Sequence, residues 1–245
     1  MYRDTDLLSH HNARKEFYKD GIIRYTFCSK PVFVNPTSKI VRYSGVKKPK
    51  DLTNDARADS IRRARKKVFD IAMLNDFDYF VTWTLDASKI DRYNASEVSK
   101  KTKIFLQNMV ARKNLKYLIV PEYHSDGAIH MHGLSSGDLA MIDSGHTDSN
   151  GHVIYNMPDW KYGYSTAIAL YGDVCASAKY MTKYVTKDIH KIFGAFYYAG
   201  GKGLVRSPDI ELFDISYYDI PAKEYPVPEV NIAFKYAEQR EGIFK

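Results

Sequence analysis

The chain has 245 residues, 44% hydrophobic and 27% charged, with 36 Lys and Arg against 29 Asp and Glu. That balance belongs to a globular protein, long enough for one large domain or one domain with terminal extensions, and it excludes a low-complexity or fixed-period repeat chain. No apolar run reaches the roughly eighteen residues of a membrane span, the N-terminal MYRDTDLLSHHNARKEF lacks the apolar stretch of a signal peptide, and Cys28 and Cys175, far apart, make neither a disulfide framework nor a metal knuckle.

The expected location is therefore the cytosol. A net charge of +7 favours a polyanionic partner. Twenty tyrosines among these cations form a composition that stacks on bases and contacts phosphate, although half-buried packing accounts for most of them equally well.

In chain order, the first fifty-odd residues alternate short β-like pieces (IIRYTF, PVFVN, KIVRYSG) with turn residues and end in the basic GVKKPKD. From 55 to 74 the period becomes helical: Ile61, Ala64, Val68 and Ile71 form one stripe, and Arg62, Arg63, Arg65, Lys66 and Lys67 lie around the rest. This basic side is either a DNA-binding surface or a solvated face. DYFVTWTLD, 78–86, is aromatic and β-branched, and predicts a strand.

Asn94, with Glu97 three residues on, predicts the N-cap of a helix whose buried stripe is Val98, Thr102, Phe105 and Met109. LKYLIVPEYH and AIHMHGLS flank SDG, which is turn chemistry, so they predict a β-hairpin. The polar stretch 137–159 reads as a long hairpin or surface insertion. WKYGYSTAIALYG returns as a strand, and 173–192 predicts a third helix. The order describes an α+β fold, a central antiparallel β-sheet with flanking helices. The expected division is an N-terminal extension at 1–54, a main domain at 55–200 and a C-terminal extension at 201–245.

Within the predicted hairpin, His130 and His132 are two residues apart and so share a face, while Ile129, Met131 and Gly133 point the other way. Two imidazoles hold a divalent ion loosely and need a third donor. Pairing through the 125–127 turn sets Glu122 opposite His130, where a carboxylate completes the set; His124 is a competitor for that place.

A second constellation is AKYMTKYVTKDIHK, 178–191, in which Y-x-x-K occurs twice. Val174, Ala178, Met181, Val185, Ile189 and Ile192 form the stripe to be buried. Tyr180, Tyr184, Lys187 and Lys191 form another, displaced by about a third of a turn. A phenol with an ordinary pKa of about 10 is a weak nucleophile, and nearby positive charge favours the phenolate. Rim tyrosines with solvated lysines are the plainer reading of the same helix.

Taken together, these motifs resemble a known family. HMH is similar to the two-histidine motif of the HUH endonucleases, FVTWTL resembles the strand motif that precedes it in their replication initiators, and YMTKYVTK resembles the third motif. The paired tyrosines most resemble the two-tyrosine rolling-circle initiators of single-stranded DNA phages and related plasmids. The resemblance covers 80–187 in motif order; the 137–159 segment, with His146 and His152, has no counterpart in the pattern.

The resemblance implies sequence-specific nicking and ligation of single-stranded DNA. A divalent metal ion, Mn²⁺ or Mg²⁺, would sit on Glu122, His130 and His132. Tyr184 or Tyr180 would form a 5′-phosphotyrosine and leave a 3′-hydroxyl, with Lys187 and Lys183 stabilising the phenolate or phosphate. Tyr184 is the expected first nucleophile because Lys187 shares its stripe. The implied substrate is single-stranded origin DNA in hairpin form, contacted by Arg62, Arg63, Lys66, Lys67 and Lys191. The implied setting is the cytoplasm of a bacterial host, with the gene carried by a phage or plasmid. GGKG at 200–203 lacks phosphate-loop spacing, so helicase and polymerase would come from the host. A relaxase or single-stranded-DNA transposase of the same superfamily, a hydrolase using water, and a non-catalytic DNA-binding module stand as alternatives.

Overall fold

A computed structural model describes residues 9–34, 54–172, 174–187, 191–227 and 231–240. The GVKKPKD segment lies outside the described residues, as do Ile189 and the side chain of Lys187. The fold is α+β, with two antiparallel sheets in two compact units: Asp51–Ser207, and a second made of Met1–Lys50 with Pro208–Lys245.

In the Met1–Lys50/Pro208–Lys245 unit, β1 (Ser9–Phe17) and β2 (Ile22–Val34) come from one end of the chain. Strands β10 (Asp209–Phe213), β11 (Glu224–Val227) and β12 (Ile232–Arg240) come from the other. They form one sheet in the order β10-β1-β2-β12-β11. The two terminal segments read from the sequence as separate extensions are thus one structure. Ala13, Phe27, Tyr217 and Ala233 form its core. A bulge between His11 and Ala13 frees the Asn12 amide, which donates to the Ile215 carbonyl at 2.7 Å and accepts from the Ile215 N–H at 2.9 Å.

The Asp51–Ser207 unit holds the elements expected from the sequence. They are α1 (Asn54–Leu74), β3 (Tyr79–Leu85), α2 (Ala95–Lys113), β4 (Lys116–Tyr123), β5 (Ile129–Ser136), β6 (Ile142–Thr147), β7 (Val153–Asn156), β8 (Gly163–Ala169), α3 (Val174–Lys187) and β9 (Tyr198–Gly200). The sheet order is β6-β7-β8-β3-β5-β4-β9. The polar 137–159 stretch contains the β6-β7 hairpin, an extension of the sheet edge.

Residue alternation divides this sheet into two unlike faces. On one, Val81, Trp83, Met131, Ile129 and Ile119 are buried against Phe105, Leu106 and Met109 of α2. Trp83 stacks on Trp160 at 5.1 Å with the Phe105 ring edge-on to both. Asn94 caps α2, its side chain accepting from the Glu97 N–H at 3.1 Å, and Val98, Thr102, Phe105 and Met109 are all buried as the stripe requires.

The opposite face meets α3, which packs on β4, β5 and α1. Thr, Tyr and Val make α3 a mediocre helix by propensity, at a few tenths of a kcal/mol per residue. Burial of Ala178, Met181 and Val185 outweighs that, since a fully buried large apolar side chain contributes about 1.5–3 kcal/mol. The helix is shorter than the sequence suggests. Residues 188–190 lie outside the described residues, and from Ile192 the chain makes a single 3-10 turn in which Phe193 and Gly194 have φ of 60° and 79°, incompatible with a continuing right-handed helix.

Candidate active site

The site is built on the face of β3, β4, β5 and β8 turned toward α3. The 125–127 turn sets the hairpin register so that Glu122 pairs with His130 and Val120 with His132. On the other side of β5, Thr84 pairs with His130 and Thr82 with His132. His130, His132 and Glu122 therefore share one face, as the spacing requires.

Glu122 is buried, and its Oε2 stands 3.7 Å from Nε2 of His132. Nδ1 of the same ring is 3.1 Å from Oγ1 of Thr82. A proton on Nδ1 shared with Thr82 leaves the Nε2 lone pair toward the carboxylate, which is how an outer hydroxyl orients a metal-ligating imidazole. His130 stacks on His124 at 4.7 Å, and burial first, then His124, holds its pKa below the ordinary histidine value. The neutral imidazole is the form that ligates metals. His124 itself lies 3.3 Å from Asp126, whose carboxylate also takes Arg92 at 2.9 Å. Its place at the turn makes it a neighbour of His130 and not part of the Glu122–His132 pair.

Among the described residues, no three His, Cys, Asp or Glu side chains converge as a ready-made metal cluster. The donor chemistry nevertheless suits a divalent ion: two imidazoles and a carboxylate favour a metal such as Mn²⁺, whereas an all-oxygen set would favour Mg²⁺. His146 and His152, on the β6-β7 hairpin, are not among these donors; His152 bonds Asp148 at 3.1 Å and stacks on Tyr171.

Helix α3 brings the tyrosines to the same place. The Tyr184 ring stacks on His132 with centroids 4.2 Å apart, and its hydroxyl donates to the Tyr180 hydroxyl at 2.7 Å. Phe80 packs edge-on to Tyr180 and stacks on Tyr184, holding both rings. Burial raises the pKa of Tyr184 far above the ordinary phenol value, and its hydrogen bond to Tyr180 and the charge of Glu122 push the same way. Tyr180 is exposed, with the Lys183 ammonium 5.5 Å from its ring centroid. Lys187 is the last residue of α3. Lys191, expected on the same helical stripe, comes after the helix ends and lies over the Phe196 ring at 5.5 Å.

Residues 78–189 match the family model of replication-associated proteins of the ORF2 type. The match spans β3 through α3 and supports a role in the initiation of replication, with DNA as partner. No curated protein and no solved structure gives a significant match.

The basic residues of α1 are arranged less simply than their sequence suggests. Arg62 and Arg63 are exposed, and both reach Asp59, at 2.7 and 3.9 Å. Lys66 bonds Asp70 one turn on, and Lys67 bonds Ser207 at 2.8 Å. In-helix carboxylates thus offset part of the positive field. Sequence reasoning overlooked Thr82 and Phe80, although the alternation in FVTWTL puts both on the histidine face. No helix among the described residues is long and apolar enough to cross a membrane.

Proposed function

We propose that the protein is a replication initiator that nicks and rejoins single-stranded origin DNA through a tyrosine. One observation carries this reading: the Tyr184 ring lies flat on His132, whose far nitrogen faces Glu122, so that a phenol pair and a carboxylate–imidazole pair meet in one spot. A hydrolase using water gives no reason for two tyrosines there.

In the proposed reaction the phenol oxygen attacks the scissile phosphorus. A phosphorus–oxygen bond to tyrosine forms as the bond to the 3′-oxygen breaks, the phenol loses its proton, and the leaving 3′-oxygen gains one. The energy of the broken bond is kept in the 5′-phosphotyrosine, and a polymerase can extend the 3′-hydroxyl. A divalent ion on Glu122, His130 and His132 would supply Lewis-acid polarisation of the phosphate. Thr82 holds the His132 ring for that purpose. Lys183, beside Tyr180, and Lys187 would offset the negative charge of phenolate or phosphate.

The geometry favours Tyr180 as the first nucleophile, where sequence spacing alone favoured Tyr184. Tyr180 is the exposed member, and its oxygen accepts a hydrogen bond that stabilises a phenolate. Tyr184, buried and held neutral, is the donor. It would serve as second nucleophile once the first oxygen is esterified.

The test is incubation with Mn²⁺ or Mg²⁺ and single-stranded DNA tiled across the protein's own replicon, labelled 3′ to any cut, followed by a denaturing gel. The expected result is a labelled band at protein size, lost with chelator and lost when Tyr180 and Tyr184 are both changed to Phe. Cut DNA without an adduct overturns the tyrosine mechanism. No cutting on any fragment would make a DNA-binding module the better account.

A further inference from the structure

Glu122, His130, Thr84 and Tyr164 form one row across β4, β5, β3 and β8, each in register with the next. Beside it runs a second row, Val120, His132, Thr82 and Thr166. Helix α3 covers the β4 and β5 end of these rows. Toward β8 the face opens: Thr166 is exposed, and Tyr164 is 69% exposed although it stands in the middle of a seven-stranded sheet. A tyrosine this accessible contributes little to the fold.

The chain also gives this spot a close approach. A Cβ on Gly163 would lie 2.1 Å from the Thr84 carbonyl oxygen, so only glycine lets β8 start flush against β3 immediately before Tyr164. Two strand spacings, about 10 Å, separate Tyr164 from His130. That is the distance over which a base beside the scissile phosphate can turn down onto the sheet.

We propose that Tyr164 is a stacking platform for a base of the single-stranded DNA next to the cut, with the Thr84 and Thr166 hydroxyls facing the backbone of the same strand. The proposal rests on the reading of this site as a DNA-nicking centre. Tyr164 is a positioning residue: it touches substrate away from the reacting atoms and fixes where the strand crosses the histidines. Stacking suits the task because every base has a π-face, and the ring needs no partner within the protein to present its own.

The experiment separates this from the chemistry. Binding of a fluorescent single-stranded oligonucleotide from the replicon is measured in chelator, where nothing is cut, for the wild type, Tyr164→Ala, Tyr164→Phe and Tyr164→Trp. Loss of one base–aromatic stack is expected to weaken the Ala variant by roughly five- to a hundredfold, with Phe and Trp near wild type. An oligonucleotide series with one abasic site moved along the strand should then show a single position where the wild type loses affinity and Tyr164→Ala loses no more. Equal binding by wild type and Tyr164→Ala, or an Ala variant that responds to every abasic position as the wild type does, overturns the platform. Adduct formation is read separately with metal, so a protein that binds through Tyr164 but never forms an adduct refutes the nicking reaction and leaves the platform standing.

Discussion

The Tyr184 hydroxyl donates a 2.7 Å hydrogen bond to the hydroxyl of Tyr180, one turn earlier on α3. The two phenols are therefore unequal: one is buried and held protonated, and the other is exposed and accepts. A hydrogen bond to a charged oxygen is worth about 1.5–3 kcal/mol. Tyr184→Phe is accordingly expected to slow formation of the first adduct by about ten- to a hundredfold without abolishing it, and peptide mapping by mass spectrometry should find the DNA on Tyr180. DNA attached to Tyr184 in the wild type after a single turnover would reverse the assignment.

Thr82 supports His132 at 3.1 Å and reaches no phosphate-bearing atom in the proposed reaction. Replacing it with Val removes the hydroxyl and keeps the shape. Loss of such an outer partner typically costs ten- to a hundredfold in metal affinity, so Mn²⁺ titration followed by electron paramagnetic resonance should shift by about that factor in Thr82→Val. An unshifted titration would mean that His132 is held by packing against Tyr184 and Phe80 alone.

Gly133 follows the two histidines for a reason of space. A Cβ there would stand 2.2 Å from Ile119 Cδ1 and 2.6 Å from the Leu118 carbonyl, and the latter is backbone that cannot swing away. Gly133→Ala is expected to destabilise by about 1–3 kcal/mol, seen as a melting point lowered by several degrees. An unchanged melting point would show that β4 and β5 separate at no cost.

Tyr217, buried in the core shared by the two chain ends, donates to Glu224 at 3.0 Å, and its pKa is pushed up to about 12 by burial first and the hydrogen bond second. Because the folded value lies above the unfolded one of about 10, ionisation opposes folding. The stabilisation is complete below about pH 10 and is lost as pH rises through about 12. Denaturant unfolding across that window should show falling stability that Tyr217→Phe flattens; parallel pH profiles for the two proteins would rule the phenol out.

The parts of this molecule that were legible in the sequence are those governed by near neighbours. SDG fixes the hairpin register, and with it Glu122 opposite His130; Asn94 and Glu97 fix the start of α2; the alternation in FVTWTL fixes which side Trp83 takes. Lys191 was misplaced because periodicity says where a stripe points and not where a helix stops, and Phe193 and Gly194 stop it through backbone angles that no stripe reveals. The hydrogen bond between the tyrosines was also out of reach, since it depends on how Phe80 wedges the two rings. The terminal sheet was illegible for a different reason. Its pairings join residues such as Asn12 and Ile215, 203 positions apart, and nothing local in either strand names so distant a partner.

That separation has a consequence in time. A ribosome adding about 5–20 residues per second takes on the order of ten to forty seconds to travel from Asn12 to Ile215. Throughout that interval β1 and β2 can pair only with each other, whereas every residue of Asp51–Ser207 has been made before β10, β11 and β12 exist. Synthesis therefore delivers the Asp51–Ser207 unit first. A nascent chain halted near Ser207 would carry it complete, trailing a lone β1-β2 ribbon with both edges open to any other strand it meets.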